Sequence, residues 1–216
     1  MFLAMRLTKI DCSQYTFLNP DDECYHIGEY TAGGGYKASD TNQQIFNLKI
    51  RPDASVAQKR YKPIGIRYWA NRIANSNLSW DAFREGWTFV PFPCSKPQGH
   101  ELYDDRMLRV LQEVAQLRPG IDIRPLLYQT VNRKSQHEGE RLSPVQIREQ
   151  LKVDHTLLQP QLRNIIIVDD IITRGASYAA ARDMLKVLPG VGMVMGLFLA
   201  KTIRPPVDID FDFLED

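Results

Sequence analysis

One short segment late in the chain constrains the fold more than any other. Ile165–Val168 is an unbroken run of β-branched residues, and the acidic pair Asp169-Asp170 follows it immediately. Such a run is typical of a central parallel strand that is covered on both faces. Because an unpaired buried carboxylate costs several kcal/mol, we expect the strand to end at Val168, with both acids where it emerges from the sheet. In open α/β sheets, ligands bind at this carboxyl end of the strands.

The residues after the acidic pair form a loop that opens directly into a helix predicted over residues 178–188. The loop contains the small or hydroxylated residues Thr173, Gly175, Ala176 and Ser177. A helix N-terminus presents unpaired backbone N–H groups and the positive end of the helix dipole, and both favour a bound phosphate. The sequence therefore predicts a phosphate-binding loop at this point.

The acidic pair adds a second recognition element beside that loop. Two ionised carboxylates can each accept a hydrogen bond from one hydroxyl of a vicinal diol. A diol beside a phosphate is the pattern of a ribose 5-phosphate, so the two features together favour a ligand that contains one. The simpler alternative is a solvated strand end followed by a plain N-cap at Ser177. It fits Ser177 alone but is disfavoured for the whole combination.

The rest of the chain alternates predicted strands and helices. Strands are expected near residues 88–93, 123–127, 164–168 and 192–200, with helices over 102–117 and 178–188. This alternation predicts βαβ units and a mostly parallel sheet flanked by helices.

Composition argues against several other classes of protein. With 27 basic and 26 acidic residues the net charge is +1, so the chain has no overall electrostatic footprint for nucleic acid. Cys12, Cys24 and Cys94 are too few and too scattered for a disulfide framework or paired zinc ligands. Cys24 and His26 are interpreted as strand residues rather than metal ligands. No apolar run approaches the roughly 20 residues that span a bilayer, so we expect a cytoplasmic protein without a membrane partner.

The segment Ile165–Ser177 resembles the phosphoribosyl-pyrophosphate (PRPP) binding signature of type I phosphoribosyltransferases: four apolar residues, two acids and a Thr-Gly loop. Arg174 departs from that pattern, because the family usually has a second threonine there. The resemblance implies an α/β fold with a type I phosphoribosyltransferase-like sheet and a small N-terminal hood of strands and helices. It also implies that Asp169 and Asp170 are catalytic and that PRPP is bound by Asp169, Asp170, Thr173, Arg174, Gly175, Ala176 and Ser177.

Other segments are similar to the ComF-type branch of that family. These are residues 26–30 and 45–49 near the start, Val90-Pro91-Phe92-Pro93, and Leu197-Phe198-Leu199-Ala200. The paired zinc-binding cysteines with which relatives in this branch often begin are absent. The expected division is a hood over residues 1–85, a core over 86–204 and an acidic tail or edge strand over 205–216.

The resemblance implies two further binding segments. Cys94, Ser95 and Lys96 would form the pyrophosphate loop, with Lys96 as a point charge and Ser95 as a donor, and Cys94 is not expected to act as a nucleophile. Residues 132–150 would form a flexible loop that closes over PRPP, with Arg133, Lys134 and Arg148 as its candidate cations. Ordinary solvated charges are an equally good interpretation of these three. Arg106 near the pyrophosphate loop and a metal site at Asp208, Asp210 and Asp212 are both disfavoured.

The function implied by the resemblance is Mg²⁺-dependent transfer of the 5-phosphoribosyl group from PRPP to a nitrogenous acceptor, with release of pyrophosphate. Mg²⁺ is expected to arrive with PRPP rather than in a dedicated protein site. The alternative is a non-catalytic PRPP-binding sensor or accessory protein in DNA processing. The acceptor, a nucleic-acid partner and a homodimer are left open. The aromatic residues of the hood, Tyr36, Phe46, Tyr68 and Trp69, are interpreted as core rather than as a surface that stacks a base.

Overall fold

The computed structural model describes residues 6–132 and 142–204. Arg133, Lys134 and the three aspartates of the predicted tail lie outside these residues. The first half of the chain contains β1 (Thr8–Lys9), a 3₁₀ helix (Cys12–Gln14), β2 (Glu23–Thr31), α1 (Asp40–Leu48), α2 (Val56–Lys59), α3 (Lys62–Ala74), α4 (Trp80–Gly86), β3 (Trp87–Pro91) and α5 (Arg106–Leu117). The second half contains β4 (Asp122–Ile123), β5 (Leu127–Gln129), α6 (Pro144–Gln150), β6 (Leu151–Val153), a 3₁₀ helix (His155–Leu157), β7 (Asn164–Ile172), α7 (Ala176–Lys186) and β8 (Val194–Ile203).

Six strands form the main sheet in the order β1-β2-β8-β7-β3-β4. Only the β1–β2 pair is antiparallel, and all other neighbours in this sheet run parallel. Strands β5 and β6 form a separate antiparallel ribbon. The prediction of an α/β fold with a mostly parallel sheet flanked by helices is therefore confirmed.

The main sheet contains a strand from the segment expected to form the hood. Strand β2 pairs with β8 from Glu23 opposite Met195 to Thr31 opposite Ile203. The sheet thus joins a strand near the start of the chain to the last described strand. The division into hood, core and tail stays a prediction.

Helices cover both faces of the sheet, and alternate residues of β7 point to opposite sides. Ile165 and Ile167 belong to the apolar cluster that contains Tyr178 of α7, whereas Ile166 and Val168 belong to the cluster of α1, α3 and α5. All four β7 side chains are buried. Burying a side chain of this size stabilises the fold by about 2 kcal/mol, so the run predicted as a central strand has that role.

Strand β7 is longer than predicted, because it continues through the acidic pair to Ile172. The extension is held by β8 alone: Ile171 pairs with Ala200, whereas β3 ends at Pro91 opposite Val168. The prediction that the strand stops at Val168 is wrong, although the acids do lie beyond the end of β3. Within the two described ranges, none of the helices has the length and hydropathy needed to cross a membrane.

Candidate functional site

A cleft lies at the carboxyl ends of β3 and β7 and contains most of the residues predicted to form the site. From the β7 side it is lined by Asp169, Asp170, Thr173, Gly175, Ala176 and Ser177, and from the β3 side by Cys94 and Ser95. Lys49 and Arg106 complete its charged lining. Two loops predicted from separate parts of the sequence therefore line one cleft.

The two acids of the pair face opposite sides of the sheet. Asp169 pairs in register with Phe198, whose side chain belongs to the cluster beneath α7. Its Oδ1 accepts the backbone N–H of Asp170 at 2.7 Å. The side chain of Asp170 lies on the other face, where it meets cations from α5 and from the end of α1. Adjacent residues of a strand alternate in this way, so the pair presents one carboxylate to each face.

The Asp170 carboxylate is held by two cations. Arg106, the first residue of α5, donates from Nε at 3.0 Å and from Nη2 at 2.7 Å to Asp170 Oδ2. Lys49 Nζ lies 3.1 Å from Asp170 Oδ1. The Asp170 side chain is only 9% exposed, so these are charge-assisted contacts in a largely desolvated place. Both carboxylate oxygens of Asp170 therefore already bind protein cations.

The ion pairs continue from Arg106 into a buried network. Arg106 Nη1 donates to Asp104 Oδ2 at 3.0 Å, and Lys62 Nζ donates to the same oxygen at 2.8 Å. Lys62 also donates to the backbone carbonyls of Leu48 at 2.9 Å and of Ile50 at 2.7 Å. These two carbonyls flank Lys49, so the network fixes the backbone from which the Lys49 side chain reaches the cleft.

The surroundings shift the pKa values of the two acids in opposite directions. Burial, followed by the charge of Asp170, raises the pKa of Asp169 to about 7. Burial alone would also raise the pKa of Asp170, but Lys49 and Arg106 outweigh it and hold that pKa well below its usual value. Near neutral pH, Asp170 is therefore ionised, whereas Asp169 titrates.

The loop that follows β7 is shaped by Gly175, the N-cap of α7. Gly175 has φ +82°, in the left-handed region that favours glycine. A Cβ built on it would lie 2.5 Å from Leu18 Cδ2, so no other residue fits without displacing Leu18. Next to Leu18, the backbone N–H of Phe17 donates to the carbonyl of Arg174 at 3.1 Å. The segment before β2 therefore supports the loop from behind.

Arg174, the residue that departs from the family pattern, is held by the same segment. Its guanidinium carbon lies 4.7 Å from the centroid of the Phe17 ring, a cation–π distance. Arg174 is also absent from the described residues that line the cleft. The structure thus gives this side chain a contact that the sequence did not suggest, while its predicted part in binding PRPP stays a prediction.

Other predicted cations lie away from the cleft lining. Lys96 Nζ donates to Asn132 Oδ1 at 2.6 Å. Arg148 is exposed on α6, and neither of these two residues is among the described residues lining the cleft. Cys94 lines it, and its sulfur lies 3.4 Å from the Lys96 carbonyl and 3.3 Å from the Asp104 backbone nitrogen. Among the described residues, the cations that bind the acidic pair are Lys49 and Arg106.

A second, more apolar cleft adjoins the first. It shares Phe92, Pro93, Cys94, Arg106 and Asp169 with the first cleft. Its remaining walls come from the start of α5 and from the β5 ribbon and include Tyr103, Met107, Leu108, Pro125, Leu127 and Tyr128. Asp169 thus lines both clefts.

Cys24 and His26 lie in β2, so their interpretation as strand residues is confirmed. Cys24 is buried beside Tyr178, and His26 Nδ1 lies 2.9 Å from the Gly28 carbonyl oxygen. Across residues 6–132 and 142–204, no group of three or more His, Cys, Asp or Glu side chains is arranged to hold a metal.

The four hood aromatics are not all core, as they were expected to be. Trp69 is fully buried against Tyr68. Tyr36 and Phe46 instead form an edge-to-face pair, and each residue is about 40% exposed. The core interpretation is wrong for these two, because Phe46 lies on an exposed position of α1 and Tyr36 in the turn region before that helix.

Sequence reasoning missed Lys49, Lys62 and Asp104 and disfavoured Arg106. Lys49 ends the segment 45–49 that is similar to the ComF-type branch, but none of the four belongs to a predicted site, and each binds a partner distant in sequence. The one available signal was the mixed charge of Asp104-Asp105-Arg106 at the start of a long amphipathic helix, directly after the predicted pyrophosphate loop.

The chain matches no protein-family model, and no curated protein matches it either.

Proposed function

We propose that the chain binds PRPP in the first cleft and transfers its 5-phosphoribosyl group to a nitrogenous acceptor, releasing pyrophosphate. One observation carries the proposal: the acidic pair, the loop before α7 and the loop after β3 line a single cleft. The resemblance of residues 165–177 to the PRPP signature of type I phosphoribosyltransferases supports the same conclusion. The acceptor is left open by this proposal.

The 5-phosphate is assigned to the loop before α7. Its residues are small, and α7 begins at Ala176, so the first backbone N–H groups of the helix lie beside the cleft. Unpaired N–H groups and the helix dipole both favour an anion at this place. Thr173 and Ser177 add hydroxyl donors.

The ribose diol is assigned mainly to Asp169. Both oxygens of Asp170 bind Lys49 or Arg106, whereas Asp169 lines the cleft from the α7 face. An ionised carboxylate accepts hydrogen bonds from the two hydroxyls of a ribose. Asp170 contributes as a fixed negative charge beside the sugar and as the anchor of two cations.

In the transfer step, the bond between ribose C1 and the diphosphate oxygen breaks, and its electron pair leaves with pyrophosphate. The lone pair of the acceptor nitrogen forms the new bond to C1, and the nitrogen's proton passes to solvent. Positive charge develops on the sugar as the bond breaks, as in other glycosyl transfers. The carboxylates of Asp169 and Asp170 favour that charge, and Arg106 favours the charge on the leaving group.

The cleft fits a magnesium ion bound together with PRPP. Mg²⁺ is commonly held by one or two carboxylates and by substrate phosphates rather than by a complete protein cage. Asp169 offers such a carboxylate. Bound there, the ion would neutralise part of the diphosphate charge.

The test is PRPP binding by titration calorimetry in the presence of Mg²⁺. We expect the wild-type chain to bind, and Asp169→Asn to weaken binding at least about tenfold, because a charge-assisted hydrogen bond contributes roughly 1.5–3 kcal/mol. Asp183→Asn is the matched control, since Asp183 lies on α7 and pairs with Arg182. Asp170→Asn is less suitable, because it also leaves two cations unpaired. Absence of PRPP binding by the wild type would contradict the proposal.

Turnover separates the transferase from the non-catalytic alternative. Pyrophosphate release is measured with PRPP and a panel of nitrogenous bases. Release that depends on one base supports transfer to that acceptor. Tight PRPP binding without release for any base favours a sensor or accessory protein instead.

A further inference from the structure

We propose that Lys49 binds the diphosphate of the ligand, so that the segment before the predicted core supplies a cation to the cleft. The inference rests on the proposed function and extends it to a residue outside every predicted site. Lys49 is the C-cap of α1, its side chain is 25% exposed, and it lines the cleft together with Cys94, Ser95 and Arg106.

The position of Lys49 decides which end of PRPP it meets. The loop assigned to the 5-phosphate lies at the start of α7, on the Asp169 face of the sheet. Lys49 binds Asp170 on the opposite face, next to Arg106, which begins α5 after the predicted pyrophosphate loop. A ligand that spans the end of β7 therefore places its diphosphate, not its 5-phosphate, nearest to Lys49.

The charges of the network favour a bound anion. Lys49, Arg106 and Lys62 are three cations, whereas Asp170 and Asp104 are the two carboxylates that bind them. These five groups alone carry an excess of one positive charge, which Asp169 in the same cleft offsets only in part near neutral pH, because its pKa is raised to about 7. The Lys62 side chain is only 11% exposed and donates to two backbone carbonyls. The exposed part of the network is therefore formed by Lys49 and Arg106, which line the cleft. An anionic oxygen at Lys49 balances this excess in a poorly solvated place.

Lys49 is also held in advance of binding. The carbonyls on both sides of it accept from Lys62, and Asp170 orients its ammonium group. Little side-chain entropy is then lost when an anion binds, which favours affinity. A lysine on a mobile loop lacks this advantage.

The test compares three ligands with one set of variants. Titration calorimetry with Mg²⁺ gives Kd for PRPP, inorganic pyrophosphate and ribose 5-phosphate. For Lys49→Met we expect PRPP and pyrophosphate to bind at least about tenfold more weakly, as for one lost charge-assisted hydrogen bond, with ribose 5-phosphate changed by less than about threefold. Lys49→Arg should retain most of the affinity, because it keeps the charge.

Lys201→Met is the matched control. Lys201 Nζ lies 3.1 Å from Glu29 Oε1, the same separation as Lys49 from Asp170, but Lys201 is absent from the described lining of the cleft. We expect this control to leave all three affinities unchanged. A far-ultraviolet spectrum and a urea titration of each variant show that it is folded.

Each other outcome has a definite meaning. Unchanged pyrophosphate affinity in Lys49→Met would overturn the inference even if the wild type binds PRPP. Equal losses for pyrophosphate and ribose 5-phosphate would also overturn it, because they indicate a general disturbance of the cleft. A wild type that binds pyrophosphate but not PRPP would contradict the proposed function. The effect of Lys49→Met on the Kd for pyrophosphate would then still decide whether Lys49 binds a diphosphate.

Discussion

On the α7 face of the sheet the cleft is formed by backbone and small side chains, whereas on the opposite face it is formed by charged side chains bound to one another. The first region consists of Asp169, Thr173, Gly175, Ala176 and Ser177. The second consists of Asp170, Arg106, Lys49 and their buried partners. Two acids that are adjacent and identical in sequence thus lie in structurally different environments.

One acidic pair can thus lie in two separate structural environments. The backbone region is shaped by chain conformation, so we expect it to tolerate loss of a side chain but not a change of backbone geometry. The charged region depends on mutual pairing, so removal of one member leaves buried charges without partners.

Arg106→Met should lower the free energy of unfolding by about 4 kcal/mol, because breaking a buried ion pair leaves the charges of Asp170 and Asp104 undercompensated. Ser177→Ala, in the same cleft but on the other face, should change it by less than about 0.5 kcal/mol. Urea denaturation measures both. Arg148→Met is the control, because it removes an exposed arginine. If it lowered the free energy of unfolding as much as Arg106→Met does, the contrast between the two regions would be refuted.

Gly175→Ala should destabilise the chain by about 2 kcal/mol, because the new Cβ meets Leu18 and alanine is strained at φ +82°. Gly99→Ala is the matched control: its φ is +87°, but a Cβ there would have no neighbour within 4 Å. The control should therefore cost only the backbone strain, about 1 kcal/mol. Equal effects on the urea midpoint would show that the Leu18 contact is unimportant.

Between pH 5 and 8 the contributions of the two acids to the free energy of unfolding should diverge by about 2 kcal/mol. The pKa of Asp169 is raised to about 7 in the folded chain, so its contribution to stability is largest at low pH and is lost as the pH rises towards 7. The pKa of Asp170 is lowered, so its contribution to stability is present at neutral pH and is lost only as the pH falls into strong acid. Between pH 5 and 8 the wild type should therefore lose stability relative to Asp169→Asn.

The difference between wild type and variant is the quantity to measure for this prediction, by urea denaturation at several pH values. It removes the titration of His26, whose pKa is lowered by burial and whose contribution has the opposite sign. A difference that does not change between pH 5 and 8 would show that Asp169 is not perturbed.

The backbone region could be predicted from sequence because its signals are local. The run Ile165–Val168 identified the central strand, and the small residues up to Ser177 identified the loop and the start of a helix. Even here the extension of β7 to Ile172 depends on β8 and was missed. Alternating strands and helices thus predict the coarse fold class, but not where a strand ends when that end depends on a distant partner.

The charged region could not be predicted, because the ion pairs that join it to Asp170 connect distant segments. Lys49 and Asp170 are 121 positions apart by residue number, and Arg106 reaches Asp170 over 64. No spacing rule connects such residues before the fold is known. Arg174 shows the same limit, since its partner Phe17 comes from the start of the chain.

Strand β2, near the start of the chain, pairs in parallel with β8, the last described strand. During synthesis, β2 therefore waits for its partner until nearly all the described chain has left the ribosome. Parallel pairing over such a sequence distance is slow, because the long intervening segment must bring its two ends together before β2 and β8 can make contact. We therefore expect the nascent chain to expose the β8-facing edge of β2 for most of its synthesis. An unpaired strand edge favours aggregation, and chaperones that bind nascent chains would protect against it.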